Sequence, residues 1–144
     1  MTAGCTFCAI LAGTEPATVV LDDDVALAFL DRRPVFKGHT LVVPRDHHET
    51  MADLPEPLVG PLFERARRLS VAMERGLDAA GSFVAVNNRV SQSVPHLHVH
   101  VVPRRFKDGL RGFFWPRTRY EDDAEREDYG ARIRGGLGDG AAPA

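Results

Sequence analysis

The spacing of apolar residues divides the chain into short alternating or continuous runs and one long helical stretch. Residues 18–21 and 25–30 are two β-prone runs separated by Asp22-Asp23-Asp24, which predicts a hairpin. Gly38 introduces a third strand over 40–43, ended by Pro44. Pro55, Pro57 and the pair Gly60-Pro61 then punctuate the sequence, and proline is tolerated in a first helical turn because its missing N–H has no partner to lose there. From Pro61 onward Leu62, Ala66, Leu69, Met73 and Leu77 recur at helical spacing, with arginines and glutamates on the other faces, and Gly81 is the expected stop. Residues 82–86 and 97–102 read as two more strands. A short helix is expected over 121–134, with a thin apolar face, followed by a glycine- and alanine-rich disordered tail over 135–144. Antiparallel neighbours with a helix on one face make an α+β domain, here one domain spanning 1–134.

Length and composition narrow this only a little. A chain of 144 residues, 44% apolar and 26% charged, has the balance of a soluble globular domain. Its net charge of -2 lacks the basic excess of a general polyanion binder, so no nucleic-acid partner is expected. Charge is uneven near the end: six basic residues against Asp108 lie between Arg104 and Arg119, and six acids with one arginine lie between Glu121 and Asp128. Two solvated faces explain this more simply than a nucleic-acid site. No apolar run follows Met1 as in a signal peptide, and no segment reaches the roughly 20 apolar residues of a membrane span. The expectation is a cytoplasmic protein without a membrane partner. In a reducing compartment Cys5 and Cys8, the only cysteines, suggest a metal or redox site before a structural disulfide.

The chemistry concentrates in His96-Leu97-His98-Val99-His100-Val101-Val102. Side chains alternate across a strand, so the three histidines share one face while Leu97, Val99 and Val101 share the other. The apolar face can pack on the helix. At about 3.3 Å per residue His96 and His100 lie roughly 13 Å apart along the strand, whereas zinc–nitrogen bonds are only about 2.0–2.1 Å. One metal cannot easily collect all three. A metal at one end and different work in the middle is the better division. Imidazole is largely neutral at physiological pH and forms covalent intermediates, which splits a difficult displacement at phosphorus into two easier ones. The preceding loop, residues 87–95, supplies amide and hydroxyl donors for phosphate oxygens and the leaving group. No Walker-type phosphate loop occurs.

The row Gln92-Ser93-Val94-Pro95-His96-Leu97-His98-Val99-His100-Val101-Val102 resembles the signature of the histidine triad (HIT) superfamily. The resemblance extends to residues 26–31, to Gly38-His39-Thr40-Leu41-Val42-Val43-Pro44, and to Cys5-Thr6-Phe7-Cys8-Ala9-Ile10, which is similar to the opening of the bacterial Hint-like branch. It covers roughly residues 4–104. It implies a five-stranded antiparallel sheet with one long helix, a homodimer with a continuous ten-stranded sheet, and hydrolysis at the α-phosphorus of a nucleoside monophosphate conjugate, with AMP-like ligands. Position by position it implies that His98 is the nucleophile, that His100 binds phosphate oxygen, and that Asn87 and Ser93 hold phosphate or leaving group, with Gln92 in the same loop. Asp31 would meet the ribose hydroxyls, and Phe29 and Leu41 would enclose the base.

For the cysteines the resemblance implies a structural zinc held by Cys5, Cys8, His47 and His96, with His48 a neighbour that could replace His47; a Cys2His2 set suits tetrahedral zinc. No obligatory catalytic magnesium is expected, because histidine and loop donors act at phosphorus. Two departures bear on substrate. The loop between Asn87 and Gln92 is about two residues shorter than in the best-known Hint-like sequences, with Ser91 in place of a common glycine. Gly112-Phe113-Phe114-Trp115-Pro116-Arg117 resembles the aromatic region that reaches the partner's site in Hint-like dimers, at a longer distance from His100; Trp115 is thus either a specificity element or sheet packing. The leading expectation is a nucleoside phosphoramidase. Alternatives are a dinucleoside polyphosphate hydrolase or phosphorylase, a nucleotide-binding regulatory module with weak turnover, and a zinc scaffold.

Overall fold

A computed structural model describes residues 2–110 and 118–137. They fall in two compact units, 1–108 and 109–144. The first carries α1 (Thr6–Leu11), β1 (Val19–Asp22), β2 (Ala26–Leu30), β3 (Thr40–Pro44), α2 (Glu56–Leu77), β4 (Gly81–Ala85) and β5 (Val99–Arg104), with a single 3-10 turn at Met51–Asp53. The five strands form one sheet in the order β1-β2-β3-β5-β4, and each neighbouring pair is antiparallel.

The hairpin forms where three aspartates interrupt the apolar pattern. Asp23 Oδ1 accepts hydrogen bonds from the N–H groups of Val25 and Ala26 at 2.9 and 3.0 Å, closing the turn through its side chain. Its other oxygen accepts from Arg65 Nε of α2 at 3.0 Å, so the turn is also tied to the helix.

Both faces of the central strands are buried. Ala26, Ala28, Val42, Leu97, Val99 and Val101 point to one face and pack with Leu62, Ala66, Leu69 and Met73 of α2. Leu27, Phe29, Leu41 and Val43 point to the other and pack with Phe7 and Ile10 of α1. The period-2 pattern of the histidine segment therefore does place Leu97, Val99 and Val101 against the helix. Its opposite face is covered as well: His96 is fully buried and His98 is 4% exposed.

Several boundaries differ from those read in the sequence. The helix begins at Glu56 rather than Pro61, with Pro57 in its first turn and Pro61 inside it. One missing N–H near the start costs a single helical hydrogen bond, and Arg65 Nη1 donates to the Pro61 carbonyl at 3.3 Å. The helix ends at Leu77 rather than running to Gly81: Asp78 takes the left-handed conformation at φ 51°, and Gly81 instead opens β4. Leu77, the last residue of the predicted apolar stripe, is 43% exposed. Regular pairing of β5 starts only at Val99, so His96 and His98 lie on the segment that leads into it.

In the second unit α3 spans Asp123–Leu137, three residues beyond the expected end at 134. Gly135, Gly136 and Leu137 are thus helical, where their composition predicts a tail. Asp122 Oδ1 accepts from Glu125 N–H at 2.8 Å at its start, and none of its residues is buried. Trp115 and its aromatic segment lie outside the described residues, as do residues 138–144.

Gly38, at the entry to β3, has φ +102°, and a Cβ there would meet Leu77 Cδ1 at 2.6 Å. We predict that Gly38→Ala destabilises the protein by about 1–2 kcal/mol, read as a lower urea midpoint at unchanged slope.

Candidate active site

Register aligns the site. Phe29 of β2 pairs with Leu41 of β3, and Leu41 pairs with His100 of β5. One row across three strands thus sets two apolar side chains beside an imidazole on a single face. Above that face lies a cleft of about 770 Å³, walled by Phe7 and Ile10 of α1, Phe29, Leu41, Asp31, Ser93, His98 and His100, among others. The sheet, α1 and the segment before β5 thereby bring together six predicted residues: Phe29, Leu41, Asp31, Ser93, His98 and His100. Asn87 and Gln92 do not line it. Asn87 is exposed. Gln92 instead braces its loop: its Oε1 accepts from Arg89 N–H at 2.8 Å and its Nε2 donates to the Glu49 carbonyl at 2.6 Å. Arg89 and Ser91 both adopt positive φ, 67° and 59°, in this loop. The position where Ser91 stands for a glycine is one that favours glycine.

Hydrogen-bond partners fix which nitrogen of each histidine is free. His98 Nδ1 lies 2.7 Å from the His96 carbonyl, which can only accept, so Nδ1 carries the proton and Nε2 keeps its lone pair. Phe7 packs edge-on against this ring at 5.1 Å between centroids. The state of His100 is set by His39, a residue to which the sequence pattern assigns no role. The Val35 N–H donates to His39 Nδ1 at 3.1 Å, so the proton of neutral His39 sits on Nε2. From there it points at His100 Nδ1, 2.9 Å away. His100 Nδ1 must accept, which leaves Nε2–H as its donor. One main-chain N–H thus orders two imidazoles. Asp31 Oδ2 stands 3.8 Å from the same His39 nitrogen, while Asp31 Oδ1 accepts from Arg33 N–H at 2.8 Å.

Burial keeps the pair neutral. It lowers the pKa of His39, and it lowers that of His100 to about 4 with help from repulsion by His98 and His39. Neutral His100 can donate one hydrogen bond from Nε2 at physiological pH. A row with one nucleophilic nitrogen and one adjacent donor, in a largely apolar cleft, can displace a group at phosphorus while holding its oxygens.

A second cluster adjoins the first. One donor atom each from Cys5, Cys8, His47 and His96 lies within 4.8 Å of the others. Cys5 Sγ and Cys8 Sγ are each 3.6 Å from His96 Nδ1, and Cys8 Sγ is 3.4 Å from His47 Nδ1. Tetrahedral zinc with its usual Zn–S and Zn–N bonds would separate sulfur from nitrogen by about 3.6 Å. The four residues therefore fit a tetrahedral divalent metal. His96 Nε2 lies 3.3 Å from the Pro44 carbonyl, which orients the ring so that Nδ1 faces the sulfurs, and burial lowers its pKa to about 4. Burial likewise pushes the Cys5 thiol up, so a thiolate there needs a cationic partner. His47, rather than His48, belongs to the donor set; His48 Nε2 is buried without a hydrogen-bond partner among the described residues.

Comparison with known proteins identifies the family. Residues 12–107 match the HIT domain. The protein named hit from Bacillus subtilis is 36% identical over 126 residues, covering 86% of each chain. A zinc-bound histidine triad family protein from Mycobacterium smegmatis superposes with a TM-score of 0.72 at 34% identity, over 92% of this chain and 97% of that one. Adenylylsulfatase HINT3 from Arabidopsis thaliana is 31% identical over 108 residues, 74% of this chain and 55% of that protein. The fold, the HIT match and the histidine row define a nucleotide-binding, hydrolase-type architecture. The chain belongs to the HIT-domain family.

The depressed pKa of His100 sets a direction for stability. The unfolded chain takes up a proton near the ordinary 6.5, whereas the folded site resists until about 4. Between those values the unfolded state binds more protons, so stability falls as pH falls, by up to about 1.4 kcal/mol per pH unit. Urea unfolding from pH 7 to pH 4.5 should show this loss, and His100→Asn should make the slope shallower.

Proposed function

We propose that this protein hydrolyses nucleoside monophosphate conjugates at the α-phosphorus, most readily phosphoramidates of AMP, through a covalent nucleotidyl-His98 intermediate. The observation that carries the reading is the bond from His98 Nδ1 to the His96 carbonyl, which leaves Nε2 as a buried nucleophile beside a fixed donor. In the first step His98 Nε2 forms a bond to phosphorus as the bond from phosphorus to the leaving amine breaks, and the departing nitrogen takes up a proton. Water then attacks phosphorus, the P–N bond to His98 breaks, and AMP leaves with release of a proton. The net change is consumption of one water. His100 Nε2–H stabilises charge on the phosphate oxygens, and His39 is a positioning residue that holds His100 in that tautomer. Ser93 attends the leaving group, Asp31 the ribose, and Phe29 and Leu41 the base, with Phe7 as its cover. Gln92 acts through the loop that it braces.

One zinc on Cys5, Cys8, His47 and His96 belongs to the same reading. Bound there, zinc would be structural, because the set offers four protein donors and no open position. It would also tie down α1, whose six residues are too few to be stable alone. A homodimer completes the reading; β4 ends the strand order and so offers an edge for pairing. A second reading, cleavage of dinucleoside polyphosphates or of adenylylsulfate, uses the same attack with an anionic leaving group; the relative named adenylylsulfatase favours the adenylylsulfate form of it.

Incubation with AMP linked through nitrogen to a simple amine should release AMP without added magnesium. His98→Ala should lower kcat/KM by at least about 10³-fold; full activity in that variant would sink the assignment. A panel adding adenylylsulfate and diadenosine polyphosphates ranks the two readings. Native mass spectrometry should find about one zinc per chain, lost in Cys8→Ser together with a clear fall in melting temperature.

A further inference from the structure

A smaller depression of about 260 Å³ adjoins the main cleft, and the two share Thr6, Ser93 and Val94 as walls. Beyond Ser93 it is bounded by Cys5, His47 and Glu49. Attack by His98 from within the cleft expels the leaving group on the far side of phosphorus, and Ser93 stands at the join. Ser93 lines both spaces, so a leaving group that passes Ser93 would enter this depression.

Among the described residues, one wall side chain outside the donor cluster carries its charge. Cys5 and His47 belong to the donor cluster, where two thiolates would balance a divalent metal. Among the described residues Glu49 is the remaining ionisable side chain on its wall. Glu49 also stands on a fixed backbone. Its carbonyl accepts from Gln92 Nε2 at 2.6 Å, and the next residue, Thr50, is buried with its N–H and hydroxyl bonded to Asp53 at 2.9 and 2.8 Å. A carboxylate on a braced rim discriminates charge better than one on a loose loop. We propose that this depression is the leaving-group subsite and that Glu49 makes it select amines carrying a second, distal ammonium group. The inference rests on the phosphoramidase reading and specifies its substrate class.

The test uses three conjugates of AMP joined through nitrogen to five-carbon chains: 1,5-diaminopentane (distal ammonium), pentylamine (neutral) and 5-aminopentanoate (distal carboxylate). The wild-type kcat/KM should favour the ammonium over the carboxylate conjugate by about fivefold, the scale of a solvent-exposed ion pair. That ratio should shrink in 1 M salt, collapse toward one in Glu49→Gln and invert in Glu49→Lys. A wild-type ratio near one, or a ratio that both variants and salt leave unchanged, overturns the subsite while the cleaved pentylamine conjugate upholds the phosphoramidase reading. Cleavage of none of the three by the wild type overturns that reading and the subsite with it.

Discussion

The active face depends on a hydrogen bond between two members of the histidine row. His98 Nδ1 is committed to the main-chain carbonyl of His96, so the ring can present only Nε2 to the cleft. A free imidazole exchanges its two tautomers; here the preceding peptide removes one of them. That carbonyl is itself well placed, because the side chain of its residue is held between the Pro44 carbonyl and the sulfurs of Cys5 and Cys8. The nucleophile is thus oriented by backbone fixed through a cluster that does not touch phosphorus.

Three identical residues in strict alternation consequently have different chemistry. His96 is fully buried, beyond reach of a nucleotide, and suited to ligation. His98 is buried against Phe7 yet borders the cleft. His100 is joined to His39, which turns its Nε2–H into a permanent donor near neutral pH. Helix α1 connects the first two roles, because Cys5 and Cys8 flank Phe7. The same turn that supplies sulfurs to the cluster supplies the cover of the nucleophile.

Much of this arrangement is legible in the order of the residues alone. Period-2 alternation finds the shared face of Leu97, Val99 and Val101 even though regular pairing begins only at Val99. The helical stripe from Leu62 to Met73 is equally legible. Helix ends are not. The pair Gly60-Pro61 makes Pro61 resemble a start, and a left-handed aspartate does the work expected of Gly81. The role of His39 is hidden for a different reason: it arises from a main-chain N–H four residues earlier and a side chain 61 residues later, a link that only the β3–β5 register creates. The available signal is a histidine between a glycine and a strand start. The placement of Gln92 is also invisible in the sequence, since its amide could equally face phosphate or peptide; in the fold it bonds to peptide.

The central claim is that His98 Nε2 carries the nucleotide between two displacements. It is tested most directly by mixing the enzyme with an AMP phosphoramidate, quenching within milliseconds in alkaline denaturant, and mapping peptides by mass spectrometry. An adenylyl group on His98, rising and decaying at rates compatible with turnover, is the predicted result. Turnover with no adduct, or with the adduct on His96 or His100, would contradict the account.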